Sequence, residues 1–105
     1  MLHVTFRRVR PERAERLREW FAELMWRQDE VRETFRNEEV RHEQAWLIET
    51  SNGPLLVYAV EVEDPERALR AFETSELAID REHRRVMHEV TQGTAEVELL
   101  YDLRA

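Results

Sequence analysis

The stretch Ile79-Asp80-Arg81-Glu82-His83-Arg84 holds the densest set of side chains able to move a proton. On a helix running on from Asp80, the residues Asp80, His83 and Arg84 share a face at three- and four-residue steps. A carboxylate placed there orients an imidazole or raises its pKa, and His83 then serves as a general acid or base. The plainer reading has Asp80 capping the helix through the backbone N–H of Glu82 or His83, with His83 on the surface. Glu43 and Tyr58 sit on predicted strands. A carboxylate between apolar neighbours has a raised pKa and works as a base near neutral pH. The competing reading pairs Glu43 with Arg41, Arg7 or an arginine across an interface. Trp20, Trp26 and Trp46 can wall a flat ligand, although core packing explains Trp20 better and Trp26 falls off the apolar stripe, as at an interface. Ser75 supplies the third residue type of a hydrolase triad, but no glycine flanks it to make the strained elbow, so it reads as a cap or turn. His83 and His88 are turned about 140° from each other on a helix, and no metal signature is found elsewhere.

Composition removes other chemistries. The 105 residues include no cysteine and two glycines, and all 16 basic residues are arginine. Disulfides, Cys-ligated zinc, thiolate nucleophiles and lysine Schiff bases are excluded, and Gly53 and Gly93 cannot build a phosphate-cradling loop. A formal charge of -7 argues against nucleic acid or an anionic membrane as partner. The start lacks the apolar stretch of a signal peptide, and the longest apolar run, Leu55 to Val60, is far short of a membrane span. A cytoplasmic location is the expectation. The lysine-free composition fits a GC-rich genome or adaptation to heat or salt equally well.

The elements that must position these residues come in two matching sets. Pro-Glu-Arg-Ala occurs at 11–14 and at 65–68, an offset of 54 that also superimposes the strand-like 3–9 on 57–63 and 40–50 on 94–104. One domain of two βαβ halves, about 1–51 and 54–105, follows, joined at Asn52-Gly53 by a type I′ hairpin. Residues 11–36 place Ala14, Leu17, Phe21, Leu24, Val31 and Phe35 on one face of a long helix, with Glu12–Arg16 and Glu23–Arg27 pairs on the wet side. In the second half Asp64 is the expected N-cap, Thr74 and Ser75 break the helix in two, Asp80 restarts it, and Gly93 ends it. In the strand 40–50, His42, Gln44, Trp46 and Ile48 alternate with Arg41, Glu43, Ala45 and Leu47; in 95–103, Val97, Leu99, Tyr101 and Leu103 form one row. Leu55 to Val62 is apolar on both faces, as in a strand covered on both sides. The order β-α-β-β-α-β predicts an α+β, ferredoxin-like fold, with a four-stranded antiparallel sheet and both helices on one face. The other face needs a cover, and a second copy is the simplest one.

In this order of elements, its bare sheet face and its length, the chain resembles the dimeric α/β-barrel superfamily. Through Ser75 to Arg84, Val97 to Leu103 and His42-Glu43-Gln44-Ala45-Trp46-Leu47 it is more closely similar to a family of short prokaryotic proteins of unknown function. The resemblance implies protomers packed sheet against sheet into a barrel. It leaves several activities open, because the superfamily includes cofactor-free monooxygenases, haem-degrading enzymes, small-lactone isomerases and ligand-sensing modules. The leading expectation is a homodimer binding a small apolar or aromatic molecule, with Glu43, Tyr58, Trp46 and Arg84 at the site and His83 and Asp80 as candidate catalytic residues. A cofactor-free monooxygenase or isomerase using His83 with Asp80 is the alternative, and a structural or regulatory dimer without ligand is the third. No cofactor is expected; haem on an axial His83 is the alternative weighed.

Overall fold

A computed structural model describes residues 1–105. Strand β1 (Leu2–Val9) leads through a single 3-10 turn (Pro11–Arg13) into helices α1 (Ala14–Trp26) and α2 (Gln28–Glu38). Strands β2 (Val40–Thr50) and β3 (Gly53–Val62) form a hairpin, followed by α3 (Pro65–Thr74), α4 (Ala78–Val90) and the short β4 (Thr91–Thr94). The sheet order is β2-β3-β1-β4 with every neighbouring pair antiparallel, an α+β arrangement compatible with the expected ferredoxin-like fold. No helix is long and apolar enough to cross a membrane.

Alternation along the strands separates two faces. Val9, Leu47 and Leu56 point to the helices and pack with Leu17, Trp20, Ile79, Val86 and Val90. Opposite them, Phe6, Val57 and Trp46 lie in register across three strands, as do Val4, Ala59 and Gln44, on the face without helices. Burial of the first row, at about 1.5–3 kcal/mol per large side chain, fixes which face turns inward, because a one-residue slip would expose it.

Several local expectations hold and several change. Asp64 caps α3, its Oδ1 accepting from the Arg67 N–H at 3.2 Å, and Pro65 follows at the first helical position. The helix expected over 11–36 is broken at Arg27, whose backbone is non-helical. The Arg27 guanidinium ties the break together, meeting Glu23, Glu30 and, from α4, Glu82, each at 2.7 Å. Glu23–Arg27 thus forms as expected, whereas Arg16 turns to Glu89 on α4 rather than to Glu12. Asp80 does not start α4: the cap position is Leu77, three residues earlier, with the Leu77 N–H donating to Ser75 Oγ. Gly93, at φ +92°, lies within β4, so Thr91 and not Gly93 ends the helix.

The hairpin differs from the expected type I′. That turn needs positive φ at both central residues, yet the only non-glycine residue with positive φ is Glu39. Ser51 and Asn52 therefore keep ordinary φ values, and Gly53 at φ +107° supplies the left-handed step, with Thr50 Oγ1 accepting from the Asn52 N–H. The larger correction is at the C-terminus. Pairing with β1 stops at Thr94, and residues 95–105 form no strand, leaving Val97, Leu99, Tyr101 and Leu103 exposed. Alternation identified two faces in this segment, but a strand also needs a surface on which to bury its apolar row, and within the chain that row stays exposed.

Candidate functional site

Between the helices and the inward sheet face lies a cavity of about 690 Å³, within the range of roughly 300–1,000 Å³ typical of ligand pockets. Its lining is mainly apolar, with Leu24, Val31, Phe35, Val60, Phe72 and Met87 among the side chains contributed by both layers. The polar groups converge at His83, which the first turns of α4 carry inward. The Trp20 indole N–H donates to His83 Nδ1 at 2.8 Å, and His83 Nε2 lies 2.9 Å from the Tyr58 hydroxyl. An indole nitrogen can only donate, so Nδ1 must be the bare nitrogen and Nε2 must carry the proton. The imidazole therefore donates to Tyr58 Oη, and the Tyr58 proton stays available to a further acceptor; its protein neighbour is the weakly accepting Met87 Sδ at 3.8 Å.

Electrostatics agrees with this geometry. Trp20, Phe21, Tyr58 and Phe72 surround the His83 ring at 5.4–6.3 Å between centroids, Phe21 and Phe72 edge-on. Burial among them lowers the His83 pKa to about 4, against a smaller upward pull from Asp80, and Arg7 adds to the lowering. Burial also pushes the Tyr58 phenol up, helped by the charge of Glu43, so the hydroxyl stays protonated. At neutral pH, His83 is thus a neutral imidazole whose one free lone pair is occupied by Trp20.

A second polar group lies nearby. Asp80, 3% exposed, reaches across to α2, where its Oδ2 accepts from Thr34 Oγ1 at 2.6 Å. The same hydroxyl is 3.0 Å from Glu38 Oε2. A hydroxyl has one proton, so once it donates to Asp80 the contact with Glu38 requires a protonated Glu38 carboxyl donating to Thr34. Burial raises Glu38 to about 7, with the Thr34 hydroxyl pulling the other way and the charges of Asp80 and Glu43 adding to the rise. Glu43, from β2, is likewise pushed up by burial to about 7 and has no hydrogen bond or ion pair within the chain. Arg41, one of its expected partners, pairs with Glu63 at 2.9 Å instead.

A profile described as a family of unknown function (DUF6176) matches residues 2–105. The chain belongs to DUF6176. No curated protein and no solved structure matches it.

In this DUF6176 chain five of the six singled-out residues line one cavity: Glu43, Tyr58, Asp80, His83 and Arg84. Arg84 is engaged by the scaffold, donating to the Phe72 and Ser75 carbonyls at the end of α3 and stacking over the Phe72 ring at 5.7 Å. Trp46 is not brought there; it pairs with Val57 on the opposite sheet face and is 56% exposed. Asp80 and His83 share the cavity, but the carboxylate bonds Thr34 and the imidazole bonds Trp20 and Tyr58, so neither the Asp80–His83 dyad nor the Asp80 cap is formed. Ser75 is a turn residue, as its sequence setting suggests. Two participants, Thr34 and Glu38, went unrecognised in the sequence, and a third has a role beyond the one weighed there. Trp20 was read as core, which it is at 2% exposure, but its N–H also sets the histidine tautomer. Thr34 and Glu38 are four apart and flank Phe35 on the inward side of α2, a spacing that could have drawn attention to them.

Proposed function

We propose that this chain binds a small apolar or aromatic molecule bearing a hydrogen-bond acceptor, in the cavity between its helices and sheet. The observation that carries this reading is the chain of hydrogen bonds Trp20–His83–Tyr58, which ends in a phenol proton held only by the Met87 thioether at the wall of a roomy apolar cavity. Apolar walls supply the affinity and the phenol selects and orients the ligand. Native mass spectrometry of the purified protein tests it. The expected result is a co-purified small molecule, lost when Ala68, which lines the cavity, is changed to Trp, or when Tyr58 is changed to Phe. An adduct that survives both changes, or no adduct in any preparation, contradicts the reading.

We also propose a homodimer through the open sheet face, in the manner of the dimeric α/β-barrel proteins the chain resembles. Val4, Trp46 and Ile48 are exposed on that face, and large contiguous apolar patches usually mark an interface. The C-terminal segment supports the same arrangement. Arg7 pairs with Thr94, so continuing that register along β1 would set Val97 and Leu99 on the open face as well, where a second sheet would bury them. Light scattering at micromolar concentration should give twice 12.7 kDa for the wild type and a monomer for Trp46→Asp. A wild-type mass of 12.7 kDa contradicts the dimer.

A further inference from the structure

Glu43 and Tyr58 are inward-facing neighbours on adjacent antiparallel strands. Glu43 stands opposite Val60 and Tyr58 opposite Ala45, so the two lie on a diagonal of one sheet face, with backbones roughly 7–8 Å apart. The geometry points to a proton-transfer site: Tyr58 donates its O–H to the carbonyl oxygen of a neutral, largely apolar substrate, and Glu43 takes a proton from the carbon beside that carbonyl. The inference rests on the cavity being a ligand site and gives that site its chemistry.

Each group is prepared for one role. His83 Nε2–H occupies one lone pair of the Tyr58 oxygen and polarises the hydroxyl, whose own proton has only a thioether 3.8 Å away to serve. An acceptor oxygen entering the cavity is a better partner, and it gains more as negative charge develops on it. Glu43 has no partner inside the chain, so no arginine holds it in the ionised, weakly basic state; burial brings it to about 7, the strength suited to a base near neutral pH. His83 and Trp20 are positioning residues: His83 touches Tyr58, and Trp20 acts through His83.

The step balances without any redox partner. The C–H bond beside the carbonyl breaks, its electron pair forms a carbon–carbon double bond, and the carbonyl π pair moves to oxygen, giving an enolate held by Tyr58. Glu43 becomes a neutral carboxylic acid. Returning the proton to the same carbon exchanges it with solvent, and returning it to a conjugated carbon isomerises the substrate.

The test uses 2-tetralone, an aromatic ketone with an acidic C–H, and 2-naphthol, an aromatic mimic of its enol. Deuterium entry at C1 of 2-tetralone in D2O at pH 8 is followed by NMR, and binding of each probe by fluorescence. Wild-type protein should bind both and exchange C1 faster than buffer. Glu43→Gln should lose that exchange by about 100-fold or more while its 2-naphthol affinity changes less than about threefold. Tyr58→Phe should weaken 2-naphthol by about tenfold, the loss of one hydrogen bond. His83→Gln, which keeps a side-chain N–H, should retain more exchange than His83→Leu at equal thermal stability. Binding of 2-tetralone with no exchange above buffer, or equal exchange by wild type and Glu43→Gln, overturns the proton-transfer inference and leaves the binding reading in place. Failure of wild type to bind either probe overturns both.

Discussion

Trp20 and His83 are 63 positions apart in the chain and Tyr58 and His83 are 25 apart, yet their contacts settle the protonation of all three. His83 stood out in the sequence by its residue type, and its neighbour Asp80 was the natural partner at three-residue spacing. Its actual partners come from another helix and a strand, which spacing alone cannot reveal. Thr34 and Glu38 escaped notice because α2, with Asp, Glu and Arg throughout, looks like a solvated surface. Trp20→Phe should remove the donor to Nδ1 while keeping the ring buried, so the His83 pKa should stay well below 6.5, as read by NMR titration. A value that returned to 6.5 would mean that the Trp20 hydrogen bond, and not burial, keeps the ring neutral. Glu43→Gln should stabilise the fold at pH 8 by about 1–3 kcal/mol, because it removes a carboxylate that is ionised at a buried site. Chemical denaturation measures this, and a destabilised variant would show that Glu43 has an unrecognised partner.

The order of the elements was the most legible part of the sequence, since the continuous apolar run in 55–62 and the apolar stripes of the helices are strong signals. The Asp64-Pro65 start of α3 was legible for the same local reason. Boundaries governed by longer-range contacts were not: the break at Arg27 is held by Glu82 from α4, and the missing strand at 95–103 lacks a surface to pack on. One element end remains conformationally costly. Glu39 closes α2 at φ +58°, a left-handed conformation that glycine adopts more easily. Glu39→Gly should raise stability by about 0.5–1 kcal/mol, with the exposed Glu39–Arg67 pair at 3.3 Å too weak to offset it. Asp64→Ala should cost about 1 kcal/mol by leaving the Arg67 N–H uncapped. Urea midpoints check both, and a less stable Glu39→Gly protein would show that the ion pair matters more than the backbone.

For the whole molecule the buried titratable groups compete. Glu38 and Glu43 have raised pKa values, so their favourable neutral forms are fully present below about 4.5 and are lost as pH rises through about 7. His83 has a lowered pKa, so its contribution is present above 6.5 and is lost as pH falls through about 4. Two carboxyls outweigh one imidazole between these limits, and unfolding there releases about one net proton. Stability should therefore fall between pH 5 and pH 7 by about 1 kcal/mol per pH unit, a slope that Glu43→Gln should largely remove. Urea unfolding across that range reads the slope directly, and a stability that rises with pH would contradict the assignment of the carboxyls.

The tautomer of His83 ties the cavity, the phenol and the proposed chemistry together, and 15N NMR of histidine-labelled protein observes it. From pH 5.5 to pH 8 the spectrum should show one neutral His83 with a proton on Nε2 and none on Nδ1. An imidazolium at pH 6 would contradict the account, because its Nδ1–H would face the Trp20 N–H, and so would a neutral ring protonated on Nδ1, because Nε2 would then take the Tyr58 proton.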